Sequence, residues 1–221
     1  SGYPIPSFGN NGWVGPNLTA INTGQGTPIQ LASGNILLGN NKKMLLVDPD
    51  GKINEDFDST NFFNETCSLL GAKGTDIVAH VDAYELPSGG IRILGVHHRS
   101  DGSGNSTFIA EVLPNGDLAS EGRHRFVEIT NSGLFAYDQK FLPNGSIAQL
   151  KSLNGQIPKL EIIDPLNNFE RVEFNTGGPM SGFNLSGNDI FAWTTTAVGS
   201  NDKKFRVSKY ILNDTDKDGI E

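Results

Sequence analysis

The segment Leu142-Pro-Asn-Gly-Ser-Ile-Ala decides the fold, because the chain repeats its pattern of a leucine, a glycine-containing turn and an apolar strand. The same pattern begins at Leu31, Leu86 and Leu185, and the four leucines are 55, 56 and 43 residues apart. Gly or Asn supplies the positive φ of a tight hairpin turn, and the flanking residues alternate or are β-branched, as half-buried strands require. Each segment therefore predicts a strand, a tight turn and a second strand.

A second class of turn follows each hairpin. Its four examples are Val47-Asp-Pro-Asp-Gly-Lys-Ile, Val112-Leu-Pro-Asn-Gly-Asp-Leu, Ile163-Asp-Pro-Leu-Asn-Asn-Phe, and Ile211 leading into Asp216-Lys-Asp-Gly-Ile. Each unit thus contains four strands joined by successive turns, and we find no helical period anywhere in the chain. The sequence predicts an all-β, propeller-like fold of about four four-stranded antiparallel blades. The alternative is a β-sandwich with coincidental hairpins.

The predicted organisation is a single domain over residues 1–221. Its fourth unit lacks a last strand, and the N-terminal segment offers one to spare, so we expect the N-terminal strand to close the ring and to remove exposed strand edges. A longer propeller and an eight-bladed ring built by a homodimer are alternatives. The four units extend approximately over 28–80, 81–136, 137–180, and 181–221 together with 1–14.

Two features resemble a known repeat family. The segment Pro6-Ser-Phe-Gly-Asn-Asn-Gly-Trp-Val and the Leu-Pro-Asn-Gly and Asp-Pro-Asp-Gly-Lys-Ile turns resemble the bacterial delta-60 repeat. The resemblance implies propeller blades of an extracellular bacterial protein. The third and fourth units depart from the pattern, because Asp164-Pro-Leu-Asn-Asn lacks the glycine and Leu185-Ser-Gly lacks the proline.

Composition and charge exclude several classes of protein. The 27 Gly and 22 Asn among 221 residues indicate many turns, and a net charge of −8 with scattered basic pairs disfavours nucleic acid as a partner. No apolar run reaches the roughly 18 residues that a transmembrane helix needs. The chain starts at Ser1 without Met and has no signal peptide, which suggests a processed or excised piece. The resemblance to the delta-60 repeat implies a secreted or cell-surface location.

The C-terminal segment carries the sharpest short motif, Asp214-Thr-Asp-Lys-Asp-Gly-Ile-Glu. Oxygen-bearing side chains at every second position followed by Gly are what a calcium loop needs. The motif resembles the start of thrombospondin type 3 repeats and the first half of an EF-hand loop. We predict a Ca²⁺ site at Asp214, Asp216 and Asp218; the alternative is an acidic turn like the other Asp-Gly turns.

Three pairs of residues are candidate ligand-binding groups. Trp13 and Trp193 can stack on sugar rings, although aromatic residues of propellers also pack between blades. Asp82 and Glu85, on the strand before the second unit's hairpin turn, are the nearest pair of carboxylates for glycoside hydrolysis or for cation binding at the ring centre. Asp101-Gly-Ser-Gly-Asn105 is long enough to be a binding loop at one end of a blade.

No catalytic motif is present. His97 and His98 are adjacent on a predicted strand and point to opposite faces, so they cannot both bind one metal. Cys67 precedes two leucines and is predicted to be buried and unreactive, and no disulfide can form within the chain. We therefore expect an extracellular adhesion domain that binds a carbohydrate or a protein surface with the help of Ca²⁺. A polysaccharide hydrolase or lyase with a central site and a structural spacer are the alternatives.

Overall fold

The computed structural model describes residues 7, 28–39, 43–102, 105–120, 126–131, 134–153, 159–164, 170–174, 180–187, 189–198 and 202–211. These residues form fourteen β-strands and one α-helix, which confirms the all-β prediction. The helix, α1, is Thr60–Leu70. The strands are β1 Ile29–Gln30, β2 Ile36–Gly39, β3 Met44–Val47, β4 Ile77–Glu85, β5 Ile91–His98, β6 Asn105–Val112, β7 Phe126–Asn131, β8 Leu134–Phe141, β9 Ile147–Leu153, β10 Lys159–Asp164, β11 Glu170–Phe174, β12 Met180–Ser186, β13 Asp189–Val198 and β14 Asp202–Ile211.

Four antiparallel sheets follow one another along the chain, and in each of them consecutive strands are neighbours. The second sheet has the order β4-β5-β6-β7, and the third has the order β8-β9-β10-β11. The first and fourth sheets, β1-β2-β3 and β12-β13-β14, have three strands each among the described residues. The predicted meanders are therefore present, with four described strands in two of them.

The repeated hairpin turns share their hydrogen bonds. In the first turn the Leu31 N–H donates to the Asn35 carbonyl oxygen at 2.8 Å, and the Gly34 N–H donates to the Leu31 carbonyl oxygen at 3.0 Å. The turns that begin at Leu86 and Leu142 repeat this pair of bonds. The glycine of each turn has positive φ, a conformation that costs glycine little and explains why glycine recurs there. These glycines are Gly34 (+89°), Gly89 (+80°), Gly145 (+86°) and Gly187 (+60°).

The expectation that the chain has no helical segment is wrong, because α1 lies between the first and second sheets. The Asp58 carboxylate accepts the first helical N–H, that of Thr60, at 3.0 Å, and Gly71 ends the helix in the left-handed conformation. One face of α1 is buried, and its spacing of four residues is helical. The buried residues are Phe62, Phe63, Thr66 and Leu70. This face is short and includes one polar residue, so the apolar pattern along the chain does not reveal it.

The chain divides into two compact units, Ser1–Ser132 and Gly133–Glu221. The first contains the first and second sheets with α1, and the second contains the third and fourth sheets. Among the described residues, no helix is both long and apolar enough to span a membrane. The assignment of the whole chain to a single domain stays a prediction.

Each unit has its own hydrophobic core. In the first unit α1 and the facing sides of both sheets are buried together, and in the second unit the third and fourth sheets are buried against each other. Fully buried members of the first core include Phe62, Leu37, Ile93 and Phe108, and those of the second include Leu150, Leu160, Phe183 and Ile190. In each unit, two consecutive meanders thus share one core among the described residues.

Candidate functional site

One end of the second sheet collects polar side chains from two loops. Ile77 of β4 pairs with His98 of β5, and His98 pairs with Asn105 of β6, so the loop 71–76 and residues 99–102 of the next loop lie at the same end of the sheet. We call this region, residues 71–77, 97–102 and 105, the loop end. The opposite end of β4 and β5 carries the tight turn that begins at Leu86.

Asp76 connects the two loops through hydrogen bonds to their backbones. Its carboxylate is 4% exposed, and it accepts hydrogen bonds from the Lys73 N–H at 2.9 Å, from the Ser100 N–H at 2.9 Å and from the Ser100 hydroxyl at 2.7 Å. Hydrogen bonds from backbone N–H groups to a carboxylate are strong because the acceptor is charged. A single buried side chain therefore fixes the backbone of both loops.

The same carboxylate holds a buried histidine. His97 Nε2 lies 3.0 Å from Asp76 Oδ2, and the His97 side chain is 1% exposed. The backbone N–H groups of Lys73 and Ser100, with smaller contributions from the Ser100 hydroxyl and His97, hold the pKa of Asp76 well below its usual range. Asp76 is therefore ionised at neutral pH and can only accept hydrogen bonds. His97 must in consequence donate from Nε2.

Other polar side chains of the two loops are exposed to solvent. Lys73 Nζ lies 2.6 Å from Asp101 Oδ2, and the two side chains are 64% and 43% exposed. The hydrogen bond with Asp101 raises the pKa of Lys73. The hydroxyls of Thr75 and Ser100 are 2.7 Å apart beside this pair. An exposed ion pair adds little stability, so its charges can exchange partners with a ligand at small cost.

The structure brings Asp101 and Asn105 to the same end of the sheet. Asp101 is exposed, whereas Asn105 is half-buried at the first position of β6. His98, directly opposite Asn105, is exposed, and its neighbour His97 is fully buried. The prediction that the two histidines face opposite sides of the sheet is confirmed.

The structure does not bring Asp82 and Glu85 together. Asp82 lies opposite Leu94 and Glu85 lies opposite Ile91, and these two partners are on different faces of β5. The Glu85 carboxylate accepts the Ser33 N–H at 2.7 Å and so supports the first hairpin turn. The two carboxylates are therefore not arranged as the catalytic pair of a glycosidase.

Of the two tryptophans, Trp193 is described and Trp13 lies outside the described residues. Trp193 is half-buried and lies across Gly182 on the neighbouring strand, where an added Cβ would be 2.4 Å from Trp193 Cζ2. This contact explains the glycine at position 182 and uses one face of the indole for packing. Trp193 belongs to the second unit, and the loop end belongs to the first.

The predicted calcium ligands Asp214, Asp216 and Asp218 also lie outside the described residues. Within the described ranges, no group of three or more His, Cys, Asp or Glu side chains is arranged to hold a metal ion. Calcium binding therefore stays a prediction for the C-terminal segment.

Cys67 lies on α1 and is half-buried. Burial, with a smaller contribution from the Asp76 charge, raises the pKa of its thiol. A thiol that resists ionisation is a poor nucleophile, which agrees with the expectation that Cys67 is unreactive.

No protein-family model matches the chain, and no curated protein is similar to it. The resemblance to the delta-60 repeat and to the thrombospondin type 3 motif stays a prediction.

The hydrogen bonds of Asp76 predict how the stability of the protein depends on pH. A carboxyl whose pKa is depressed in the folded state contributes stability that is fully present above its unfolded value, here 3.8, and is lost as the pH falls through the folded value. We expect Asp76→Asn to destabilise the protein most near neutral pH, and the difference from wild type to shrink below about pH 4. Urea unfolding from pH 7 to pH 3 measures this difference.

Glu55→Gln, which alters an exposed carboxylate, is the control and should leave the curve close to wild type. A difference between Asp76→Asn and wild type that stays constant over this pH range contradicts the assignment.

Proposed function

We propose that this chain is a carbohydrate-binding domain of an extracellular surface protein and that it binds its ligand at the loop end of the second sheet. One observation carries the proposal. The exposed Lys73–Asp101 pair belongs to two loops whose backbone donates hydrogen bonds to the buried Asp76 carboxylate and is fixed by it. Binding groups held rigidly before the ligand arrives lose little conformational entropy on binding, which favours affinity.

The chemistry of the loop end supports a sugar as the ligand. Sugar hydroxyls donate and accept hydrogen bonds, and the exposed region offers the carboxylate of Asp101, the ammonium of Lys73 and the hydroxyl of Thr75. The exposed imidazole of His98 adds a flat ring at the same end of the sheet. A few polar groups of this kind fix the orientation of a small ligand.

We also propose that the four meanders are blades of a propeller that the N-terminal strand closes. The repeated turns and the packing of consecutive sheets in both units support stacked blades. The fourth sheet has three described strands, which leaves room for one more from residues 1–14. Those residues, apart from Ser7, lie outside the described residues. In this arrangement the loop end lies where the strands of a blade end, and not on the face that packs against the next blade.

A glycan array probed with the whole chain, with and without EDTA, tests the function. We expect binding to a defined set of glycans, and Asp101→Ala should weaken it by about 10- to 100-fold, because a hydrogen bond to a charged group is worth about 1.5–3 kcal/mol. A loss of binding in EDTA would assign a role to Ca²⁺.

The chain offers a matched control. Asp50 and Lys52 form a second exposed pair of the same kind, 2.6 Å apart, in the turn after β3. Asp50→Ala should leave glycan binding unchanged. Equal losses for Asp50→Ala and Asp101→Ala contradict a site at the loop end. Release of sugar products would favour the hydrolase or lyase, and an array without any signal would favour the spacer or a protein receptor.

A further inference from the structure

Three buried polar atoms lie on α1 and on the two central strands of the second sheet. They are Thr66 Oγ1 on α1, His97 Nδ1 on β5 and Ser106 Oγ on β6, and none has a hydrogen-bond partner among the described residues. The three residues are 0%, 0% and 3% exposed, respectively. We call the region between these three side chains the α1 seam. Buried polar atoms normally have partners, so three orphans in one region require an explanation.

The hydrogen bond to Asp76 determines what His97 Nδ1 needs. Because the ionised Asp76 carboxylate can only accept, Nε2 carries a proton, and in the neutral imidazole Nδ1 then carries a lone pair. In this form Nδ1 needs a hydrogen-bond donor inside the seam. The hydroxyls of Ser106 and Thr66 each need a partner as well.

The fold places the three groups on one side of the sheet. Ser106 is the direct cross-strand partner of His97, and such pairs have Cβ atoms about 4.5–5.5 Å apart on the same face. Phe108, two residues along β6 from Ser106, is on this face and belongs to the same core as Phe62 of α1. Thr66 follows Phe62 by one helical turn and is buried on the same helix face.

Cys67, which follows Thr66 on α1, also packs against this core. The helical turn that holds Thr66 therefore lies on the side of the second sheet that His97 and Ser106 face.

We propose that the α1 seam is a binding site for one internal water molecule, which donates to His97 Nδ1 and hydrogen-bonds to the hydroxyls of Ser106 and Thr66. Internal waters typically make about three hydrogen bonds to buried polar groups that lack other partners. This water holds His97 in the tautomer that donates to Asp76. It thus supports the carboxylate that fixes the two loops, whatever ligand those loops bind.

Thermal unfolding of Thr66→Val and Ser106→Ala tests the site. Each substitution removes a partner of the water, and we expect each to lower the melting temperature by about 3–5 °C. In a dry seam the sign is opposite for Thr66→Val, because an apolar group of the same shape then replaces an orphan hydroxyl. A melting temperature that is unchanged or raised in Thr66→Val overturns the proposal.

A measurement on the wild-type protein decides the question even if the variants fail to fold. Nuclear Overhauser spectra should show a cross-peak between a long-lived water and the His97 ring protons, and the ¹⁵N shift of Nδ1 should be that of an unprotonated nitrogen that accepts a hydrogen bond. The absence of the water cross-peak from an assigned His97 ring overturns the proposal.

Discussion

Gly116→Ala is expected to lower the free energy of unfolding by about 3–5 kcal/mol, because two separate penalties add at this position. Gly116 has a φ of +94°, which strains any residue with a Cβ. The added Cβ would also lie 2.5 Å from the carbonyl carbon of Asp58 and 2.6 Å from its oxygen. That neighbour is backbone at the entry to α1, where the Asp58 N–H donates to the Asn115 carbonyl oxygen at 2.9 Å, so it cannot move without breaking this contact.

Gly102→Ala is the matched control. Gly102 also has a positive φ, +74°, but an added Cβ there meets no atom within 4 Å. Gly102→Ala should lower the free energy of unfolding by about 1–2 kcal/mol, which is the penalty for the left-handed conformation alone. Urea unfolding of both variants measures the difference in stability. Equal losses would contradict the close packing of Gly116, in the turn after β6, against Asp58 before α1.

Glu111→Ala is expected to lower the free energy of unfolding by about 3–5 kcal/mol, because it leaves the buried Arg92 charge without its counter-ion. Arg92 Nε lies 3.1 Å from Glu111 Oε1, a second guanidinium nitrogen of Arg92 donates to the same oxygen, and a third donates to the Tyr84 hydroxyl. The Arg92 and Glu111 side chains are 10% and 19% exposed. The three residues are direct neighbours across β4, β5 and β6, so the loss affects three strands at the end of the second sheet that carries the Leu86 turn.

The double variant Arg92→Met with Glu111→Leu distinguishes the loss of the ion pair from the loss of packing. Replacing both members of a buried pair by apolar groups is often nearly neutral, so we expect the double variant to recover most of the stability that Glu111→Ala loses. Chemical unfolding of the two variants provides the comparison. A double variant as unstable as Glu111→Ala would show that the unpaired charge is not the cause.

The meanders were predictable from the sequence because their turns are local. A hairpin turn needs a glycine at one position, and the bonds that close the turn join residues three and four apart in the chain, such as Leu31 to Gly34 and to Asn35. The repetition of the turn at Leu86 and Leu142 then defines the units. The interactions that form each turn lie within about five consecutive residues, so they can be read from a single sequence.

The helix and the loop end were not predictable in the same way. Helix α1 buries only a short face, and its end signals, Asp58 and Gly71, resemble those of an ordinary turn. Asp76 and His97 are 21 residues apart and meet only because β4 and β5 pair. Asp101 stands out in the sequence because its loop is long and rich in glycine, whereas the carboxylate that supports this loop, Asp76, has no local pattern around it.

A titration followed by backbone amide NMR tests whether the loop end of the second sheet binds carbohydrate. With a glycan selected on the array, we expect saturable shift changes that are largest for residues 73–76, 98–102 and 105. The tight turn at residues 86–90, at the other end of the same sheet, should stay unshifted. Saturable changes centred elsewhere, with residues 73–76, 98–102 and 105 unshifted, would contradict a binding site at the loop end.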